Sequence, residues 1–292
     1  MAKTKFDEFI KKEVKEQKGI SIPVKASLLE RILVKKVDCK KLHPNAADEF
    51  TFDTVGPSYT IISNYEEMFR RNMAVNQPIF DDALIVEKLK PSGYLILNGH
   101  HRWAAAMRVG IKKIPVKIVN LATETDIKKI LENSKHNKRA VFDLDEVIFK
   151  EDNFEYLEPP LSFPYNIKCK KRIRLGIPAL FYYLSKNDYD IWLYSANYYS
   201  IDDIKHFFNR YHVTADAIIC GTHPKNPSES AINTEKLITN KYKKTVHIMN
   251  KLLTITYNHA ADFKYFELDD NKKSWSSDIM DLIEDEDRKK QK

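Results

Sequence analysis

The sequence predicts an α+β domain followed by a doubly wound α/β domain. Three observations carry this. The chain has 292 residues, more than one hydrophobic core usually organises, so two domains are expected. Residues 23–122 read as short strands separated by turn signals, joined by one Ala-rich helix. From Arg139 onward, unbroken apolar runs end in polar residues and alternate with helical stretches, as strands of a buried parallel sheet do.

Composition narrows the class. Apolar residues make up 43% and aromatics 11%, enough for packed cores, and Gly and Pro are too sparse for a disordered chain. A net charge of +7 and a pI near 9.0 favour polyanionic partners, nucleic acid or nucleotide phosphates. Cys39, Cys169 and Cys220 are scattered, odd in number and without metal-ligand spacing, which points to a reducing cytosol and a cytoplasmic location. No signal peptide and no apolar run of membrane-spanning length is found, so no membrane partner is expected. There is no internal repeat.

Taken in order, residues 1–22 form an N-terminal extension. Phe6, Phe9, Ile10 and Val14 fall at helical spacing, predicting an amphipathic helix that Gly19 to Pro23 break. Ser27 is placed to cap a second short helix. A strand covers 34–42, residues 52–63 read as turn and irregular structure, and a helix begins at Asn64 and stops before Asn76-Gln77-Pro78. Strands at 82–87 and 94–97 flank the turn Pro91-Ser92-Gly93. The second strand delivers Asn98-Gly99-His100-His101-Arg102 into a helix that ends at Gly110. Residues 114–119 form the next strand.

Strand, Asn-Gly-His-His-Arg, helix is an arrangement suited to phosphate. Gly99 lets backbone approach an anion, the helix start offers free N–H groups, and His100, His101 and Arg102 add donors and charge. A metal site is the competing reading, as is a plain helix cap. On Gly99-His100-His101-Arg102, the helix Trp103-Ala-Ala-Ala-Met-Arg-Val-Gly110 and the closing Ile114-Pro-Val-Lys, the domain at 23–122 resembles the ParB/sulfiredoxin fold. The resemblance implies binding of ATP or another nucleotide, or of DNA or RNA. Where sulfiredoxins carry a reactive Cys this chain has His100, and where the family's serine kinases have Asp it has Asn98. Asp48 or Glu49 would stand in for their base.

A connecting helix is expected within 123–138, begun by a capping-like Thr123 and Asp126. Residues 139–292 form the second domain. Its first apolar run ends in Asp143-Leu144-Asp145, two carboxylates at one strand mouth, where a bound cation such as Mg²⁺ would relieve their repulsion. Asp143-Leu-Asp145-Glu146-Val147 resembles the first motif of the haloacid-dehalogenase (HAD) superfamily of phosphohydrolases. That implies Asp143 as nucleophile, Asp145 as acid/base, and Ser195, after the buried strand 190–194, as a phosphate ligand. Helices are expected at 173–184 and 201–211 and a strand at 215–220. The family's Lys could be Lys225, Lys243 or Lys244. A helix over 246–257 would make 263–268 the next strand, Asp269 and Asp270 the remaining metal carboxylates and Lys244 the Lys. A strand at 245–248 would instead put Asn250 where an acid belongs. A last helix is expected to end at Ile283, leaving 284–292 as a solvated tail.

The expectation is therefore Mg²⁺-dependent phosphoryl transfer, foremost hydrolysis of a phosphomonoester on a small molecule, nucleotide or nucleic-acid end. The alternatives are a binding module with an inactive second domain, and a combined kinase and phosphatase.

Overall fold

Two six-stranded sheets divide the chain. The structure is a computed structural model that describes residues 3–17, 19–163, 165, 171–221, 229–257 and 262–291. It falls into two compact units. One comprises Met1–Leu121 with Tyr198–Ser200, the other Ala122–Asn197 with Ile201–Lys292.

The first unit is built from α1 (Lys3–Gln17), β1 (Ile22–Val24), α2 (Leu28–Ile32), β2 (Lys35–Asp38), β3 (Leu42–His43), α3 (Tyr59–Ala74), β4 (Leu84–Lys90), β5 (Tyr94–Asn98), α4 (His100–Val109) and β6 (Lys113–Ile118). The sheet order is β2-β6-β4-β5-β3, with β1 on β4. The β4–β5 pair is antiparallel and β4–β6 parallel, so α4 is the crossover that returns the chain from β5 to β6. Its apolar face, Trp103 with Ala104, Ala105 and Ala106, is buried with Phe6 and Ile10 of α1, Ile62 and Phe69 of α3, and Leu84, Val86 and Ile96 of the sheet. The spacing read for α1 thus marks its packed side. Ser27 caps α2 in a full capping box with Glu30, as expected from sequence. Helix α3 starts earlier than expected, because Ser58 caps it through the Ile61 amide.

In the second unit, α5 (Glu124–Asn133) leads to β7 (Lys138–Asp143), a π-helical turn (Leu144–Ile148), β8 (Phe149–Lys150) and β9 (Arg172–Ile173). Then come α6 (Ile177–Lys186), β10 (Tyr189–Ser195), α7 (Ile201–Arg210), β11 (Ala217–Cys220), α8 (Glu229–Lys241), β12 (Lys244–Ile248), β13 (Leu252–Tyr257), β14 (Asp262–Glu267) and α9 (Trp275–Gln291). The expected connecting helix is α5, begun by the Thr123–Asp126 capping box. It belongs to this unit, where Ile127 and Leu131 pack with Trp192, Ala217, Ile238 and Tyr242. The sheet order is β11-β10-β7-β12-β13-β14. Strands β11, β10, β7 and β12 are parallel, and β13 and β14 are antiparallel additions. The chain leaves β7 for β10 on one side and later reaches β12 on the other. The carboxyl end of β7 is therefore a topological switch point, where open α/β sheets form their crevice.

Two expectations fail here. Residues 246–257 are not a helix but the hairpin of β12 and β13, closed by Met249 N–H to the Leu252 carbonyl at 2.9 Å. The alternation of buried and partly buried residues along Leu252–Tyr257 is a period of two, and the Val, Ile and Thr content suits a pleat. The segment after Ile283 is not a solvated tail. Helix α9 continues to Gln291, and Glu286 is 2% exposed. No helix among the described residues is long and apolar enough to cross a membrane.

Candidate functional sites

The first unit's site is the junction of β5 and α4. Gly99 is the N-cap of α4, in the left-handed region at φ 101°, and α4 has no side-chain cap. A Cβ at this position would lie 2.8 Å from Leu84 Cγ and 3.1 Å from Arg102 Nη2, so only glycine fits. The first intrahelical bond runs from Trp103 N–H to the Gly99 carbonyl at 2.9 Å, which leaves the amides of His100, His101 and Arg102 outside the helix's own ladder. The Arg102 guanidinium folds back over Gly99, donating to the Asp82 carbonyl at 2.9 Å and to Asn98 Oδ1 at 3.4 Å. Both acceptors are uncharged, so its positive charge adds directly to the dipole end of the helix.

The two histidines do something other than expected. His100 is 4% exposed; its Nε2 accepts the Asn45 amide at 3.1 Å and its Nδ1 lies 3.4 Å from Asp48 Oδ2. His101 Nε2 accepts the Ser58 amide at 3.1 Å. Phe50 stacks on His100 and meets His101 edge-on. A ring nitrogen that accepts an amide N–H carries no proton, so both imidazoles are neutral in this arrangement. Burial pushes His100 down to about 4 and lowers His101. The histidines fasten the 45–58 segment to the start of α4 and are not cationic phosphate ligands, which corrects the expectation for both. Asp48 caps the turn Glu49–Thr51 through the Phe50 amide, whereas the Glu49 side chain is exposed.

In the second unit, Asp143 ends β7 at the level of Tyr194 in β10, one residue before Ser195. Asp143 Oδ1 accepts the amides of Asp145 and Glu146 at 2.8 and 2.7 Å, so the Asp-Leu-Asp-Glu stretch bends on its own side chain. Ser195 Oγ donates to Asp145 Oδ2 at 2.6 Å and is held by the Asn197 amide at 2.9 Å. Lys171 Nζ stands 3.9 Å from Asp145 Oδ1. The structure thus brings together Asp143, Asp145 and Ser195.

It does not bring Lys244 to them. Lys244 pairs with Lys138 in the parallel register, and Ile248 with Phe142, so Lys244 lies at the amino end of the sheet. There it is 6% exposed and donates to Asp287 Oδ1 at 2.5 Å. Lys243 precedes it at the same end, and Lys225 lies outside the described residues. Asp269, beyond the end of β14, turns its carboxylate to the Asn271 amide at 3.1 Å. The Asp270 carbonyl accepts from Arg174 Nη2 at 2.6 Å. Asn250, just beyond β12, is the residue delivered beside the mouth. Among the described residues no group of three or more His, Cys, Asp or Glu is arranged to hold a metal ion. Asp269 and Asp270 are thus not gathered with Asp143 and Asp145 into such a group.

Two residues of this mouth were not singled out from sequence. Lys150 Nζ donates to Asn250 Oδ1 at 2.6 Å and to the Glu146 carbonyl. Burial, with Arg174 nearby, lowers it to about 8, opposed by Asp270, Glu146 and Asp143. Arg174, 1% exposed, reaches Asn250 Oδ1 at 3.3 Å and stacks on Trp275 at 3.8 Å. The one sequence signal for Lys150 is a lone cation closing the apolar run Val147-Ile148-Phe149.

The sequence profile of the ParB N-terminal domain matches residues 72–135. This span contains β4, β5, α4, β6 and α5, hence the whole Asn98–Arg102 junction, and these residues are ParB-like. No curated protein matches the sequence. Among solved structures, one similar chain is the C-terminally truncated chromosome-partitioning protein ParB from Caulobacter crescentus, complexed with CTP-γ-S. It is 17% identical, with 36% of this chain and 56% of that chain covered and a TM-score of 0.25. A conserved hypothetical protein from Pyrococcus furiosus is 13% identical, with 84% and 98% covered and a TM-score of 0.25. The chain spans little more than half the length of the ParB structure it matches.

Proposed function

We propose that the protein binds phosphate-bearing ligands, nucleotides or nucleic-acid ends, at the start of α4. The observation that carries this reading is a helix that opens on a left-handed Gly99 without a side-chain cap, beneath the Arg102 guanidinium. Free amides, a dipole end and a planar cation at one spot are what a phosphate needs. The ParB-like match over residues 72–135 and the net charge of +7 agree with it. Titration of labelled ATP, CTP and a short oligonucleotide at two salt concentrations tests it. A few phosphate contacts give a shallow salt slope and an extended nucleic-acid surface a steep one; no binding of either class rejects the reading.

For the second unit we propose a HAD-like scaffold beside this binding module. A hydrolytic reading is favoured by one observation, the Ser195–Asp145 hydrogen bond next to Asp143. In it, the Asp143 carboxylate attacks a phosphomonoester, forming its O–P bond as the ester P–O bond breaks, and Asp145 gives the leaving oxygen a proton. Water then cleaves the aspartyl phosphate with Asp145 as base. Asp143 and Asp145 are the residues that would hold Mg²⁺, which would offset the charge of the carboxylates and the phosphate there. Phosphatase assays on phosphomonoesters, with and without Mg²⁺, decide this reading.

A further inference from the structure

A cavity of about 530 Å³ lies at the turn that joins β4 to β5, at the opposite end of those strands from the α4 junction. Lysines from separate elements converge on it: Lys35 and Lys36 of β2, Lys41 of the turn that follows, Lys88 of β4 and Lys113 of β6. Among the described residues its lining holds one acid, Asp38, whose carboxylate accepts the Lys40 amide at 2.9 Å. Glu30 of α2 takes Lys88 at 2.7 Å and approaches Lys35 at 3.9 Å. Lys36, Lys41 and Lys113 are exposed, and no carboxylate among the described residues pairs with them. Five ammonium groups therefore face two carboxylates at one concave place.

Lysines on an ordinary solvated face spread apart, because like charges disfavour one another. Here the backbone holds them together. Gly93 has φ 95°, and a Cβ on it would lie 2.6 Å from His43 Nε2 and 3.0 Å from the Lys41 carbonyl. Its missing side chain lets the β4–β5 turn close on the segment that carries Lys41. The Leu89 N–H, donating to the Gly93 carbonyl at 3.0 Å, fixes that turn. Ser92 and Tyr94 complete this wall with hydroxyl-bearing side chains. The volume is that of a small-molecule site, roughly 300–1,000 Å³, and lysine ammoniums are rotatable point charges suited to phosphate oxygens.

We propose that this cavity is a second anion site of the first unit, for a compact ligand that carries two or more adjacent phosphates. A single phosphate would meet only part of the lysine ring, whereas a short phosphate chain reaches Lys36, Lys41 and Lys113 together. The site shares no residue with the Asn98–Arg102 junction, so it goes beyond the α4 reading and stands without it.

The test uses the full chain and inorganic tripolyphosphate, titrated calorimetrically in an Arg102→Ala background that removes the α4 cation. Lys36→Gln with Lys113→Gln is expected to weaken binding about tenfold or more, and Lys36→Arg with Lys113→Arg to retain it. Lys129→Gln with Lys205→Gln removes the same charge from exposed positions of the second unit and is expected to leave the affinity unchanged. Orthophosphate is expected to bind more weakly than tripolyphosphate. Circular dichroism melts check folding, and the single Gln substitutions replace the pair if the pair is unfolded. The proposal is overturned if tripolyphosphate does not bind, if the Lys36 and Lys113 variants bind it like their parent, if orthophosphate binds as well, or if the second-unit pair loses as much affinity. It is also overturned if an oligonucleotide binds more tightly than tripolyphosphate and is lost in the same Gln pair, which would assign the cavity to a nucleic-acid strand. Nucleotide binding that ignores Arg102→Ala would sink the α4 reading alone and leave these titrations standing.

Discussion

His100 Nε2 accepts the backbone N–H of Asn45 at 3.1 Å, a bond that only the neutral ring can make. The group is held well below its ordinary value, about 4 against 6.5, chiefly by burial. His247 in the second unit is also held at about 4, by burial and by Arg139. Because the folded values are depressed, the unfolded chain binds the extra protons first. Stability from both groups is therefore complete above about pH 6.5 and is lost as pH falls toward 4. Each contributes on the order of 3 kcal/mol over that window. Denaturant titrations across the window should show it, and His100→Gln should flatten the acid loss of the first unit while lowering its stability at neutral pH. An acid profile unchanged by His100→Gln would mean that the ring is protonated in the folded state.

Arg102→Ala and Gly99→Ala should separate binding from folding. Removing the guanidinium loses a charge-assisted hydrogen bond of about 1.5–3 kcal/mol, one to two decades in nucleotide affinity. Since Arg102 contacts only uncharged oxygens on the surface, the melting temperature should stay near that of wild type. Gly99→Ala forces a left-handed residue and a 2.8 Å approach to Leu84. It should cost roughly 1–3 kcal/mol of stability as well as binding. Equal losses of stability in both variants would contradict this division.

On the hydrolytic reading, Asp143→Asn should abolish phosphatase turnover and leave the fold intact. Ser195→Ala removes the 2.6 Å donor to Asp145 and should lower turnover while changing stability by about 1 kcal/mol. Wild-type turnover in Asp143→Asn would remove the covalent mechanism.

Lys244 and the end of α9 form one structural cluster. Lys244 donates to Asp287, which also accepts from the Tyr189 hydroxyl at 3.2 Å. Glu286 takes Lys264 at 2.6 Å and Lys289 at 3.0 Å. Lys244→Ala leaves Asp287 with the Tyr189 hydroxyl and with Lys138 at 3.9 Å, and should cost roughly 1–3 kcal/mol, with phosphate binding unaltered. Truncation after Glu284 removes both acids and should destabilise further. Chemical denaturation of the two variants checks the order, and a loss of phosphate affinity in Lys244→Ala would return this lysine to the site.

The sequence by itself determined what rests on neighbours along the chain. The capping residues Ser27 and Thr123, the Gly99 break between β5 and α4, and the two aspartates closing β7 are local signals, written within a few residues of the structure they cause. Turn chemistry and caps act at that range, so they survive into the fold unchanged. Only the tertiary structure decided which end of a strand a side chain occupies and which side chains meet across the sheet. Lys244 is remote from Asp143 because β12 pairs with β7 in a register that sets Lys244 against Lys138. Lys150 meets Asn250 across 100 positions of sequence, and His100 meets Asn45 across 55. A histidine's charge and a lysine's role follow from burial and from the partner it reaches, and both are products of packing between elements that no local pattern encodes.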